Sequence, residues 1–153
     1  MTEFTIVERE AQTAAAVFGE ETVDNMPAFF GKAYHKVMVA VEKAGVTIVG
    51  PPFGYYPEMP TDKVALEAGF PTSGAVDDGD VHTLILPAGQ AVEALHVGPY
   101  ETLKQTYAEL FAWTSSQDLE LGKAMWEYYL TDPNTNPDPA TWETRIVWPL
   151  ADQ

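Results

Sequence analysis

The order of elements implied by residues 1–75 recurs over residues 80–153, and this internal echo restricts the fold more than any single motif. In the first half a strand is expected from Phe4 to Arg9, then a turn region from Gly19 to Asn25. A helix follows, because Met26, Phe29, Phe30, Tyr34, Val37, Met38 and Val41 recur at three-and-four spacing and make one apolar face. Asp24 and Asn25 offer capping chemistry, Pro27 fits a first turn, and Gly45 is a C-terminal stop. A strand from Val46 to Val49 leads to Gly50-Pro51-Pro52-Phe53-Gly54-Tyr55-Tyr56-Pro57, and a strand from Lys63 ends in Phe70-Pro71.

The second half runs the same way. Gln90 to Val97 reads as a strand, and Gly98-Pro99 opens a helix whose apolar face carries Leu103, Tyr107, Leu110 and Phe111. A strand from Ala124 to Leu130 contains Tyr128-Tyr129. A Pro-rich turn, Asp132 to Pro139, precedes a strand from Thr141 that closes on Trp148-Pro149. An extra strand, Val81 to Leu86, joins the halves through Pro87-Ala88-Gly89. Two such units place helices on one side of antiparallel strands, an α+β fold within one domain over residues 1–153. The seam between the halves is a natural ligand cleft.

Charge narrows the partners. Eight basic residues face 23 acidic ones, a net charge of -15. Such a field repels nucleic acid and attracts cations, and it also favours solubility. No cysteine is present, so disulfides and zinc-thiolate sites are excluded. Met1-Thr2-Glu3-Phe4 has no basic leader and no apolar stretch after it, and no run approaches the ~20 apolar residues of a membrane span. A cytoplasmic location without membrane contact is expected.

Glu127 is the most informative position. With two-residue alternation Met125, Glu127 and Tyr129 share one face of their strand, and Trp126, Tyr128 and Leu130 the other. Both faces are apolar or aromatic, so the strand is expected to be buried on both sides, where a carboxylate is costly unless paired or protonated. Three readings stand: a core carboxylate satisfied by Tyr hydroxyls or Arg145, a charge anchor at the bottom of an aromatic pocket, or an exposed group on an edge strand. Tyr55, Tyr56, Trp126, Tyr128, Tyr129, Trp142 and Trp148 cluster in strands expected to face the seam, with Trp142, Thr144, Ile146, Trp148 and Leu150 alternating on one face. Singly each aromatic suits a core. Together with Glu127 they form a wall that attracts cations through the ring quadrupoles.

His35, His82 and His96 show no metal-ligand spacing, and His96 suits a role in holding the turn before its helix. Asp77-Asp78-Gly79-Asp80 lacks the remaining spacing and the closing Glu of a calcium loop and reads as a solvated turn. No nucleophile elbow, phosphate loop or Ser-His-Asp set is present, and neither a metal nor an organic cofactor is expected. An acid–base pair of Glu127 with a neighbouring Tyr is chemically open.

The run Leu86-Pro87-Ala88-Gly89-Gln90-Ala91-Val92-Glu93-Ala94-Leu95-His96-Val97-Gly98-Pro99-Tyr100 resembles the hallmark of GyrI-like domains. So do Glu127-Tyr128-Tyr129-Leu130-Thr131-Asp132-Pro133 and Thr144-Arg145-Ile146-Val147-Trp148-Pro149-Leu150; Gly50-Pro51-Pro52-Phe53 and Gly69-Phe70-Pro71 are similar to the matching first-half segments. The resemblance implies a duplicated strand-helix-strand-strand fold with a central cleft, as in effector domains of AraC-type and MerR-type multidrug regulators. It implies binding of hydrophobic cations through a buried Glu that maps onto Glu127. Tyr129, Tyr56, Trp142, Trp148, Tyr107 and Phe111 are the expected remainder of the site. Two alternatives come with the family: hydrolysis of cyclopropanoid cytotoxins, which would use Glu127 and Tyr129, and protein binding as a gyrase inhibitor. Because the resemblance occupies nearly the whole chain, no stretch is left for a helix-turn-helix, and direct DNA binding is not expected.

Overall fold

The computed structural model describes residues 3–58, 62–131 and 136–151. Met1 and Thr2, and residues 132–135 of the expected Pro-rich turn, lie outside the described residues. The elements are β1 (Phe4–Arg9), β2 (Gln12–Glu21), α1 (Met26–Ala44), β3 (Phe53–Tyr56), β4 (Val64–Pro71), β5 (Val81–Leu86), β6 (Gly89–Val97), α2 (Leu103–Ser116), β7 (Met125–Tyr129) and β8 (Glu143–Pro149). The strands form a single antiparallel sheet of eight, in the order β1-β6-β8-β7-β3-β4-β2-β5.

This order is the same read from the centre in either direction. From the β7–β3 contact outward come β7-β8-β6-β1 on one side and β3-β4-β2-β5 on the other. The duplicated units are therefore β2-α1-β3-β4 and β6-α2-β7-β8, and β1 and β5 each add an edge to the other unit. Register carries the duplication to single residues. Gly54 lies opposite Glu127 at the centre. A pseudo-twofold axis through that pair carries Tyr56 onto Tyr129, Gly69 onto Val147, and Phe70-Pro71 onto Trp148-Pro149. The helices agree: α1 buries Ala33, Val37 and Val41, and α2 buries Thr106, Leu110 and Thr114 at the same spacing. That spacing makes Tyr34 the counterpart of Tyr107.

Residues directly opposite on neighbouring strands share a sheet face. One row crosses all eight strands: Phe4, Ala94, Ile146, Glu127, Gly54, Ala68, Val17 and Val81. Leu110 of α2 packs with Ala94 and Ile146, and Val37 of α1 packs with Ala68, Val17 and Val81. Both helices thus cover the same face. Glu127, the one charged member of the row, sits at its middle, between them.

The other face carries no helix, yet Phe53, Trp126, Tyr128, Val147, Ala14, Ala16, Leu86 and Ala91 are buried on it. The sheet curls over this face. In a flat sheet β1 would stand ~14 Å from β7. Arg9 at the end of β1 nevertheless holds its guanidinium 5.8 Å from the Trp126 ring and 5.9 Å from Tyr128, while bonding to Glu93. Each fully buried side chain such as Phe53 or Val147 contributes roughly 1.5–3 kcal/mol.

Four expectations need correction. Gly19, Glu20 and Glu21 belong to β2, a strand hidden by its Ala-rich sequence, so the turn region starts only after them. Val46 to Val49 forms no strand: only Ile48 makes an isolated bridge, to Thr72, and the Tyr-Tyr pair itself is the strand, β3. The α1 N-terminus has no side-chain cap from Asn25, because a short 3-10 turn over Val23–Asn25 feeds directly into it. Thr141 belongs to another 3-10 turn, so β8 starts at Glu143. Gly45 does end α1, with φ 71, a left-handed value that favours Gly. Among the described residues no helix is long and apolar enough to cross a membrane.

Candidate ligand-binding site

Beside Glu127 the cleft between the halves opens into a pocket of ≈ 480 Å³. Its floor is Glu127, Met125 and Trp148 from β7 and β8, with Tyr56 of β3 and Val64 of β4 opposite. Lys104, Tyr107, Ala108 and Phe111 form one wall, since three-and-four spacing puts them on one face of α2. Met26 at the start of α1 and the side chains of Glu58 and Lys123 complete it. Tyr107, Phe111 and Trp148 pack edge-on or offset against each other with centroids 5.4 to 6.4 Å apart. The volume falls within the range of drug-sized ligand sites.

Glu127 is 7% exposed, and its carboxylate receives its hydrogen bonds from tyrosines. The Tyr107 hydroxyl donates to Oε2, and the Tyr129 hydroxyl donates to Oε1 at 2.8 Å. With its proton committed there, Tyr129 accepts from the Tyr56 hydroxyl at 2.9 Å. Burial pushes the Glu127 carboxyl above the ordinary range; the Tyr107 and Tyr129 hydrogen bonds and the nearby His96 pull the other way without reversing it. Burial and the Glu127 charge push Tyr107 and Tyr129 well above the usual phenol value, so both stay protonated donors. Arg145 does not reach Glu127. It lies opposite Tyr128 on β8, whose alternation turns it away from the helices, and its Nε stands 3.9 Å from Glu93.

The broken symmetry at the axis explains the tyrosines. In the first half the position equivalent to Glu127 is Gly54, so Tyr34 has no carboxylate to meet and donates to the Phe53 carbonyl at 3.0 Å instead. Gly54 also leaves room for both hydroxyls. A Cβ there would lie 2.9 Å from the Tyr129 hydroxyl, 3.0 Å from that of Tyr56 and 3.2 Å from Phe30. Gly54→Ala is therefore expected to fold, to lose about 1–2 kcal/mol of stability, and to weaken ligand binding by displacing the tyrosine pair. Thermal denaturation alongside dye titration measures both; unchanged binding would show that the pair does not set the site.

A family model, the GyrI-like small molecule binding domain, matches residues 2–151. The chain belongs to the GyrI-like family. The GyrI-like fold recurs in solved structures of low identity. The C-terminal domain of EcmrR superposes with a TM-score of 0.77 at 21% identity, covering 100% of this chain and 99% of that one. EcmrR in its DNA complex gives 0.79 at 20% identity; the present chain covers 57% of that protein and is itself covered to 97%. A hydrolase from Listeria innocua gives 0.69 at 17% identity, covering 97% of this chain and 92% of that one. SAV2435, solved bound to tetraphenylphosphonium, gives 0.67 at 12% identity, covering 97% and 93%. The curated proteins contain no match.

Of the residues expected from sequence, Glu127, Tyr56, Tyr107, Phe111 and Trp148 line this GyrI-like pocket. Tyr129 stands behind Glu127, its ring 5.6 Å from Phe30 and 6.0 Å from Tyr100. Trp142 is outside the pocket: it packs at a tilt against Tyr100 at 5.1 Å, and its indole N–H donates to the Asn136 carbonyl. Tyr55, Trp126 and Tyr128 also leave the seam, because their strand positions turn them to the curled face. Met26, Glu58, Val64, Lys104, Ala108, Lys123 and Met125 also line the pocket and are not among the site residues expected from sequence. Lys104 and Ala108 are within reach of helical spacing from Tyr107 and Phe111. His96 holds its turn as expected, with Nε2 3.1 Å from the Pro99 carbonyl and Nδ1 2.7 Å from Thr106.

Proposed function

We propose that this GyrI-like domain binds hydrophobic organic cations, with Glu127 as the charge anchor. The observation that carries the reading is a buried carboxylate, held by tyrosine hydroxyls and by no ion pair among the described residues, at the floor of an aromatic pocket. A carboxylate so placed is destabilised until a cation arrives, which makes it selective for charge over shape. The ring faces of Tyr107, Phe111 and Trp148 add cation–π attraction. The acidic balance of the chain raises the local concentration of cations. The tetraphenylphosphonium held by SAV2435 is a ligand of this chemistry. A fluorescence titration with a cationic rhodamine and an uncharged analogue tests the reading. The cation is expected to bind about tenfold more tightly or better; equal affinities would remove the charge anchor.

The hydrogen-bonded line Tyr56–Tyr129–Glu127 supports a second reading, hydrolysis in the same pocket. A carboxyl can give and take a proton, and the hydrogen-bonded tyrosines can relay it. Product analysis by mass spectrometry after incubation with a cyclopropanoid compound separates turnover from retention: an unaltered compound recovered bound would leave binding alone.

A further inference from the structure

The pocket is dipolar. Its floor is the Glu127 carboxylate, but its rim carries Lys104 and Lys123, two of only eight basic residues in a chain with 23 acidic ones. Both are exposed, and neither forms an ion pair among the described residues. Lys36, Lys43, Arg9 and Arg145 have carboxylate neighbours; Lys32 and Lys63 show no ion pair among the described residues either, but they do not line the pocket. The placement follows from local structure. Lys104 is three residues before Tyr107 and seven before Phe111, on the pocket face of α2. Lys123 lies in the bend just before β7, two residues ahead of Met125 and four ahead of Glu127, so the chain segment that supplies the floor also supplies this rim lysine. One charge of opposite sign, Glu58, also lines the rim and leaves it with an excess of one positive charge.

Resting on the proposed cation site, we infer that its ligands are zwitterions: aromatic compounds with a cationic end for Glu127 and a carboxylate for Lys104 and Lys123. A simple lipophilic cation satisfies the floor and leaves two ammonium groups opposing it at the mouth. A compound with an acid group at its outer end answers both. Exposed ion pairs are individually weak, so the rim sorts among ligands that the floor already admits.

The test uses a rhodamine with a free carboxylate, a zwitterion at neutral pH, and the methyl ester of the same dye, a cation. The chain's net charge alone favours the ester. The rim predicts the reverse, with the free acid bound about fivefold more tightly at low salt and the advantage shrinking as salt rises. In Lys104→Gln/Lys123→Gln the order inverts, because the acid loses its partners and the ester loses two like charges. Glu58→Gln should widen the acid's advantage. If both dyes bind but the ester is preferred, or the double variant leaves their ratio unchanged, the inference is overturned and the cation site stands. If neither dye binds saturably, the reading of the pocket falls and takes this inference with it.

Discussion

Glu127→Gln is expected to weaken the binding of organic cations by roughly 2–4 kcal/mol, a loss of about 30- to 1000-fold, as for removal of one partner from a buried charge pair. The amide keeps the shape of the side chain and can still accept from Tyr107 or Tyr129, so uncharged ligands should be little affected. The pH dependence gives a second signature. Burial holds the free carboxyl above its ordinary range, and a bound cation favours its ionised form. Below the free-protein pKa binding therefore releases a proton, and affinity rises with pH until that pKa is passed, then levels. The Gln variant should lose this slope. Stability moves the other way. Because the folded state holds its proton at higher pH than the unfolded chain, wild-type stability falls as pH climbs from the unfolded carboxyl value to the folded one, and is level above it. Glu127→Gln should lack that fall and be at least as stable as wild type at neutral pH. Calorimetric titration in two buffers of different ionisation heat reads the proton release. A variant that binds cations as tightly as wild type would reduce Glu127 to a core residue.

Much of this arrangement is legible in the sequence, and the gaps have physical reasons. Alternation along Met125-Trp126-Glu127-Tyr128-Tyr129 predicted a carboxylate in a strand buried on both faces, which the burial of Met125 to Tyr128 matches. Helical spacing and Gly45 bounded α1 within a few residues. β2 escaped because Ala14, Ala15 and Ala16 are buried on both faces and show neither alternation nor strand propensity. The alternation of β8, extended past its first residue, places Trp142 on the pocket face, but a 3-10 turn just before the strand resets the phase. Gly54 carried no signal in isolation. Its importance lies in standing opposite Glu127, and register across the axis is a tertiary property that loops of unequal length concealed.

The same small residues that hid β2 allow the sheet to curl, and Gly69→Ala should show how much depends on them. Gly69 sits on β4 between Phe53 of β3 and Ala16 of β2. A Cβ at Gly69 would lie 1.9 Å from the Ala15 carbonyl oxygen and 2.8 Å from the Ala16 Cα. These are backbone atoms, so no rotamer change can relieve the contact; β2 and β4 must separate. The pseudo-equivalent position, Val147 on β8, carries a full side chain that is completely buried, so the requirement belongs to the first half alone. There Ala15 and Ala16 stand where the second half has Val92 and Glu93, and the strands approach until only Gly fits between them. The expected cost is about 3 kcal/mol or more, from overpacking that the backbone must absorb. For a domain of this size that lowers the thermal midpoint by roughly 6–12 °C. The damage should also reach the pocket. Ala68, the neighbour of Gly69 on β4, lies opposite Gly54, which lies opposite Glu127, so separating β2 from β4 shifts the strand beside the floor. Thermal denaturation followed by dye titration well below the midpoint reads both effects. A Gly69→Ala protein with the wild-type midpoint would mean that the two strands are not in this close contact, and the curl of the sheet would need another cause.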